Sequence, residues 1–176
     1  IEYIINFMPK QNLLDNLRQI IFGVEDGAIG NLGVVVGMAQ AAAPNSYIVL
    51  AGIATMFAQM ISMSAGTYLS VKSESEYLSS RKKSRLPSHK HPINAALIMG
   101  ISVIIGAAIP LSAFLIWESK TGIVPAICIT LLGLFILGAY KGKSVKKDIW
   151  SSGFEMLVIG GLAALVGFGI GNIFAL

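Results

Sequence analysis

Charged residues are scarce in this sequence. Only 12% of its 176 residues are Asp, Glu, Lys or Arg, whereas 55% are hydrophobic, and the mean hydropathy is +0.73. A soluble domain of this length would need a far larger polar surface, so the composition predicts an integral membrane protein. The sequence also lacks a Walker motif, GxSxG, CxxC and HExxH. We therefore expect a protein that is not an enzyme.

Long apolar runs make up most of the chain. Its single cysteine, Cys128, lies within one of them, which excludes an intrachain disulfide. A run of about 20 residues is needed to cross a bilayer as a helix. The sequence predicts five such spans, at roughly 20–41, 46–70, 93–117, 121–140 and 152–176. We therefore predict one all-α, five-helix transmembrane domain over residues 1–176, with a short loop at 71–92 and a kink or break at Pro110.

Basic residues are distributed unevenly over the predicted loops. The N-terminal segment and the second and fourth loops contain twelve of the 13 Lys and Arg residues, and Lys120 alone lies on the other side. Such asymmetry predicts that the N-terminus is cytoplasmic and that Leu176 ends on the opposite side. We interpret the basic run at 81–85 as a loop beside lipid headgroups, and we expect no nucleic-acid partner.

Two adjacent carboxylates, Glu25 and Asp26, interrupt the first apolar run. An acidic side chain near the centre of a bilayer costs roughly 2.5 to 3.5 kcal/mol, which favours a functional role. Adjacent helical positions point about 100° apart, so the two carboxylates cannot both face one narrow pathway. The alternative is a carboxyl kept neutral by burial and hydrogen-bonded to Asn31, Gln59 or a backbone carbonyl.

Glycines recur every three or four residues around these carboxylates. Small residues at this spacing let two helices approach closely, so the first span is expected to pack against another helix or against its own copy in a dimer. The predicted packing glycines are Gly23, Gly27, Gly30, Gly33 and Gly37.

A methionine stripe in the second span supplies candidate soft ligands. Met56, Met60 and Met63 lie at i, i+4 and i+7, with Gln59 beside them. Such a stripe also suits simple packing. If it faces Asp26, however, thioether, carboxylate and amide oxygen together suit a borderline divalent ion. Glu155 is a third candidate carboxylate, and its alternative role is to extend to the cytoplasmic interface.

Several motifs in order resemble the vacuolar iron transporter (VIT) family. They are "FGVEDGAIGNLGVVVG" in the first span, "ISMSAGTYLSVKSE" in the second, "PINAAL" and "GAAIPL" in the third, "LGAYKGK" after the fourth and "SGFEMLVIGGLAALVGFGIG" in the fifth. The resemblance covers nearly the whole chain. It implies a homodimer of five-helix subunits that moves Fe²⁺ or Mn²⁺ out of the cytoplasm in exchange for protons, with no permanently bound cofactor.

The resemblance also implies roles for individual residues. Asp26 matches the aspartate of the family's pathway, and Met63 matches the methionine of its Ser-Met motif. Glu25 has no counterpart that can be assigned. The remaining matches are implied to be packing or hydroxyl partners: Gly27, Ser62, Gly66 and Tyr68.

The sequence departs from the family at two places. Only 23 residues separate Tyr68 from Pro92, where well-known members insert a Glu-rich metal-collecting domain. Glu74 and Glu76 are the acidic residues left there, and they are weak candidates for cytoplasmic metal capture. Gln59 and Thr67 stand where many relatives have Asp or Glu.

We therefore predict an exporter of divalent transition metal, with Asp26 as ligand and proton acceptor and Met63 as soft ligand. Gln59, Met60, Glu25 and Glu155 complete the candidate pathway. The host membrane would be the cell membrane in a prokaryote, or a vacuolar or other endomembrane in a eukaryote. The alternatives are a membrane scaffold that does not transport and a channel for a small solute.

Overall fold

The computed structural model describes residues 10–80 and 91–175. Within these ranges the chain contains five long helices and no strand. We number them α1 (Lys10–Gln40), α2 (Asn45–Ser80), α3 (Pro92–Ile116), α4 (Ile123–Ser144) and α5 (Ile149–Phe174). Each is long and apolar enough to cross a membrane. The predicted all-α membrane fold with five spans is therefore confirmed.

Short polar connections join the helices at one end of the bundle. Asn45 at the start of α2 donates from its side-chain nitrogen to the carbonyl of Phe114 at 3.0 Å, and its side-chain oxygen accepts from the amide of Ser119 at 3.2 Å. One side chain thus ties the α1–α2 turn to the α3–α4 turn. At the other end, Asp148 caps α5 by accepting from the amide of Ser151 at 2.7 Å.

Helix α1 lies at the centre of the subunit and contacts all four other long helices. Its closest approach is to α3. A Cβ built on Gly27 would meet the backbone of Val103, and one built on Gly106 would meet the backbone of Val24. Only glycine allows two helix backbones to come this close. The small-residue stripe therefore packs α1 against α3 within one subunit.

The same stripe also contacts α5, and it contacts α3 at a further position. A Cβ on Gly167 or Gly171 of α5 would meet the backbone of Gly33 or Gly37, respectively, and Gly23 lies against Ser102 of α3. Successive glycines therefore face different partners, because helical positions three and four apart drift around the axis. The stripe organises several contacts rather than one seam.

Helix α3 continues through Pro110 without a break. In the preceding turn, the side-chain amide of the fully buried Asn31 donates to the carbonyl of Ala107 at 2.8 Å. This bond joins α1 to α3 beside the proline. Asn31 is thus engaged with α3 and not with the neighbouring carboxylates.

Helix α2 is the least covered of the five. In its apolar window 11% of residues are buried, compared with 56% for α3. Most of α2 therefore faces lipid or another protein, while its inner side lies along α3 and α1.

Candidate functional site

A cavity of about 480 Å³ lies between α1 and α2, and it brings Asp26 together with Met63. Ser62 and Thr67 line it beside Met63, so a carboxylate, a thioether and two hydroxyls share one space. The cavity lies toward the end of the bundle that carries Arg18, Lys72 and Lys141, which we call the basic end. Its donors match the mixed hard and soft set suited to a borderline divalent cation.

Gln59 of α2 extends toward α1 one turn beyond Asp26. Its side-chain amide fills the space that a Cβ on Gly30 would occupy. The side-chain oxygen is buried and has no hydrogen-bond partner among the described residues. A buried amide oxygen without a donor is unfavourable by about 1–3 kcal/mol, so it is a candidate to accept from a bound group or to ligate a cation.

Met60 points away from this cavity. Its Cγ and Sδ atoms would lie 3.4 and 3.6 Å from a Cβ built on Gly100 of α3. The structure thus separates the methionine stripe, with Met60 packed against α3 and Met63 lining the cavity.

Glu25 belongs to a different environment from Asp26. It lies close enough to Lys141 and Glu155 to interact with both electrostatically. Lys141 Nζ is 3.7 Å from a carboxylate oxygen of Glu155, which joins α4 to α5. We call Glu25, Lys141 and Glu155 the charge cluster. Of the three predicted pathway carboxylates, only Asp26 lines the cavity.

The two weak candidates for cytoplasmic metal capture, Glu74 and Glu76, lie in different surroundings. Glu74 lines the cavity at its basic end, whereas Glu76 lies 3.9 Å from Lys72 on the exposed side of α2. No described atom lies within 4 Å of a Cβ built on Gly66, because this predicted packing glycine faces the cavity. The basic run at 81–85 lies outside the described residues.

Several residues that line the cavity were not among the predicted site residues. Relative to Asp26, Phe22 lies one turn earlier on α1 and Gln19 two turns earlier, and Arg18 is adjacent. This spacing was available in the sequence as a signal. The sequence holds no such signal for Met99, because its place in the cavity wall depends on how α3 packs. The missed lining residues on α2 are Ser70 and Val71.

A second concave surface runs along α1 and α5, and it is almost entirely apolar. This groove of about 730 Å³ has Gly30, Gly33 and Gly37 of α1 on one side and Gly167 and Gly171 of α5 on the other. Ile29 and Gly30 lie one turn after Glu25 and Asp26, respectively, so the groove begins one turn beyond the two carboxylates on α1.

One subunit offers few ligands for a metal ion. The described residues contain no group of three or more His, Cys, Asp or Glu side chains placed to hold a metal. In the cavity, Asp26 is the carboxylate that shares its surroundings with Met63. A complete ligand shell therefore needs amide and hydroxyl oxygens, water, or a second subunit.

Comparison with known sequences agrees with the family resemblance of the motifs. The VIT family model matches residues 17–86 and 80–172, in two parts that meet at the α2–α3 connection. An uncharacterized protein of Methanocaldococcus jannaschii is 33% identical over 163 residues, covering 85% of this chain and 84% of that protein. Vacuolar iron transporter 1 of Arabidopsis thaliana is 26% identical over 226 residues, covering 90% of each chain. Vacuolar iron transporter 1 of Oryza sativa is 23% identical, covering 88% of this chain and 83% of the relative.

Proposed function

Because this chain belongs to the VIT family, we propose that it transports a divalent transition metal, Fe²⁺ or Mn²⁺, across a membrane. Membership of a family whose named relatives are transporters confirms that the chain is not an enzyme. The observation that carries the proposal is the cavity shared by Asp26 and Met63. An intramembrane carboxylate beside a thioether is well suited to bind such a cation and poorly suited to a purely structural role.

Asp26 is proposed to couple metal movement to proton movement. A carboxylate ligates metal only in its deprotonated form, so a proton and a metal ion compete for the same oxygens. If the cavity opens to one side with metal bound and to the other with the proton bound, the result is exchange. Met63 then supplies a ligand that favours Fe²⁺ or Mn²⁺ over the harder Mg²⁺ and Ca²⁺.

Metal is proposed to leave the cytoplasm by this route. The basic end, with Arg18, Lys72 and Lys141, matches the positive-inside pattern of cytoplasmic loops. The cavity that contains Asp26 lies toward this end. Ions would therefore enter from the cytoplasm and leave toward the Asn45 end, which would face a vacuole or the cell exterior.

The working unit is proposed to be a homodimer formed along the α1 face. The apolar groove lined by glycines would let α1 of a second copy approach closely. Two copies facing each other would bring two Asp26 carboxylates and two Met63 thioethers toward one axis. This arrangement would supply the ligands that one subunit lacks.

The deciding experiment measures Mn²⁺ and Fe²⁺ uptake into proteoliposomes with and without a pH gradient. Asp26→Asn keeps the side-chain size but removes the charge, so we expect uptake to fall about 100-fold or more. Glu118→Gln is the matched control, because Glu118 is an exposed carboxylate in the α3–α4 connection, and its uptake should match wild type.

Other outcomes point to other functions. Normal uptake by Asp26→Asn would remove Asp26 from the mechanism. A wild-type protein that neither binds nor moves either metal would favour a scaffold role, and flux of an organic solute without metal would favour a solute channel.

A further inference from the structure

One face of α1 passes along both concave surfaces of the subunit. Asp26, Gly30, Gly33 and Gly37 follow one another at spacings of four, three and four residues, so they lie on that face. Asp26 lines the cavity beside α2, whereas the three glycines line the apolar groove beside α5. On α1, therefore, the cavity ends and the groove begins between Asp26 and Gly30.

The side chain of Gln59 lies across this junction. On α2, the cavity-lining residues next to it in sequence are Ser62 and Met63, which lie one turn further along. The amide nitrogen of Gln59 occupies the position that a Cβ on Gly30 would take, and the Cδ and Oε1 atoms lie 3.2 and 3.5 Å from that position. The amide of an α2 residue, packed on a glycine of α1, thus separates the cavity from the groove.

A flexible side chain makes this closure. Helix α1 is fixed on α3 by backbone contact at Gly106, and α2 is fixed on α3 where Met60 packs against Gly100. At the level of Gly30, by contrast, α2 reaches α1 with the end of the Gln59 side chain, whose torsions have alternative staggered states. A change of rotamer can therefore open the passage while the three helices stay in place.

The oxygen of this amide makes the closed position unfavourable. It is buried and has no hydrogen-bond partner among the described residues, so it has lost contact with water without gaining a donor. Rotation of the side chain into the cavity would expose the oxygen to water or to a bound ion. Since amide oxygens ligate divalent cations, a cation beside Asp26 stabilises the rotated side chain more than the closed one.

We propose that Gln59 is a side-chain gate beside Asp26, closed in this structure and opened when a divalent cation in the cavity attracts its amide oxygen. Closed, the gate stops an ion in the cavity from reaching the groove, which continues to Ala41 and Phe174 at the Asn45 end. The gate rests on the proposed transport function and deepens it. An exchanger must not be open on both sides at once, and Gln59 supplies the closure on the side away from the basic end.

Two substitutions separate the bulk of Gln59 from its amide oxygen, and Mn²⁺ flux into proteoliposomes distinguishes them. Gln59→Leu keeps a bulky side chain over Gly30 without an oxygen, so uptake driven by a pH gradient should fall about tenfold. Mn²⁺ affinity, measured by electron paramagnetic resonance in lipid nanodiscs, should change less than about threefold because Asp26 and Met63 remain. Gln59→Ala removes most of the side chain and with it the closure, so Mn²⁺ flux down its own gradient, without a pH gradient, should rise about tenfold.

A glutamine away from the gate provides the matched control. Gln40, at the Asn45 end of α1, donates to Asn172 of α5 at 3.4 Å, and Gln40→Leu should leave both fluxes at the wild-type values. A role for Gln59 in packing alone predicts that its leucine and alanine variants lose stability and flux together, whereas the gate predicts flux changes of opposite sign. If the leucine variant does not fold, Gln59→Ile replaces it, because isoleucine is equally bulky and also lacks the oxygen.

Two results would overturn the gate while leaving the proposed function intact, and either is sufficient alone. One is gradient-driven uptake by Gln59→Leu at the wild-type rate, and the other is downhill flux through Gln59→Ala no greater than through the wild-type protein. Failure of the wild-type protein to bind or transport Mn²⁺ and Fe²⁺ would instead overturn the proposed function itself.

Discussion

Glu25 and Asp26 are neighbours in the chain but belong to two different regions. Asp26 lines a cavity with Met63, Ser62 and Thr67, and the described residues place no charged group there in an ion pair with it. Glu25 belongs to the charge cluster, where Lys141 supplies a positive charge and lies 3.7 Å from Glu155. We propose that the region around Asp26 takes up a mobile cation, whereas the charge cluster already contains the ammonium group of Lys141.

This difference shows what decides the role of an acidic residue inside a membrane. Glu25 and Glu155 share the positive charge of Lys141, which lessens the need of Glu25 for a metal ion without fully balancing its charge. Asp26 shares its part of the cavity with the neutral ligand atoms of Met63, Ser62 and Thr67, so a proton or a metal ion can balance its charge. The side chains are chemically similar, so it is their surroundings that lead us to propose Asp26 as a pathway residue and Glu25 as a structural one.

Substitution of Met63 is expected to give the largest change in KM that tests the difference between the two regions. Met63→Leu preserves the volume but removes the sulfur, so we expect KM for Fe²⁺ to rise about tenfold with little change in stability. Met60→Leu is the matched control, since Met60 packs against Gly100 of α3, and its KM should stay at the wild-type value. Equal KM changes in the two variants would contradict a specific ligand role for Met63.

A smaller effect is expected at Glu25. Its charge acts on the cavity only through space, so Glu25→Gln should raise KM for Mn²⁺ by less than about threefold and leave the maximal rate unchanged. Uptake measured at low and high ionic strength provides the check, because screening should shrink the difference. A loss as large as that of Asp26→Asn would place Glu25 in the pathway and end the distinction between the two regions.

Hydrophobicity and charge explain how much of the fold the sequence could predict. The five spans follow from apolar runs of bilayer length, and each of the five helices overlaps one predicted span. Helix α2 extends to Ser80, past the predicted span at 46–70. The sequence indicates this continuation, because the polar residues after Ser70 form good helix although they are not apolar.

The candidate site was predictable only in part. Asp26 is conspicuous as an acid in an apolar run, and Met63 belongs to a visible stripe. That Met63 faces the cavity while Met60 faces Gly100 depends on how α2 rotates against α3. The residue pattern of a single helix does not determine how that helix is rotated against its neighbour. For the same reason, the sequence could not predict that Lys141 of α4 pairs with Glu155 of α5.

The smallest effect is expected at Glu155. Its side chain is 62% exposed and that of Lys141 is 36% exposed, so solvent screens the pair and its contribution to the free energy of unfolding should be less than about 1 kcal/mol. A double-mutant cycle with Glu155→Gln and Lys141→Gln, followed by thermal unfolding in nanodiscs, measures that coupling. Metal uptake by Glu155→Gln should equal the wild-type value, because Glu155 does not line the cavity. A large coupling together with lost uptake would show that the charge cluster takes part in transport and that Asp26 does not act alone.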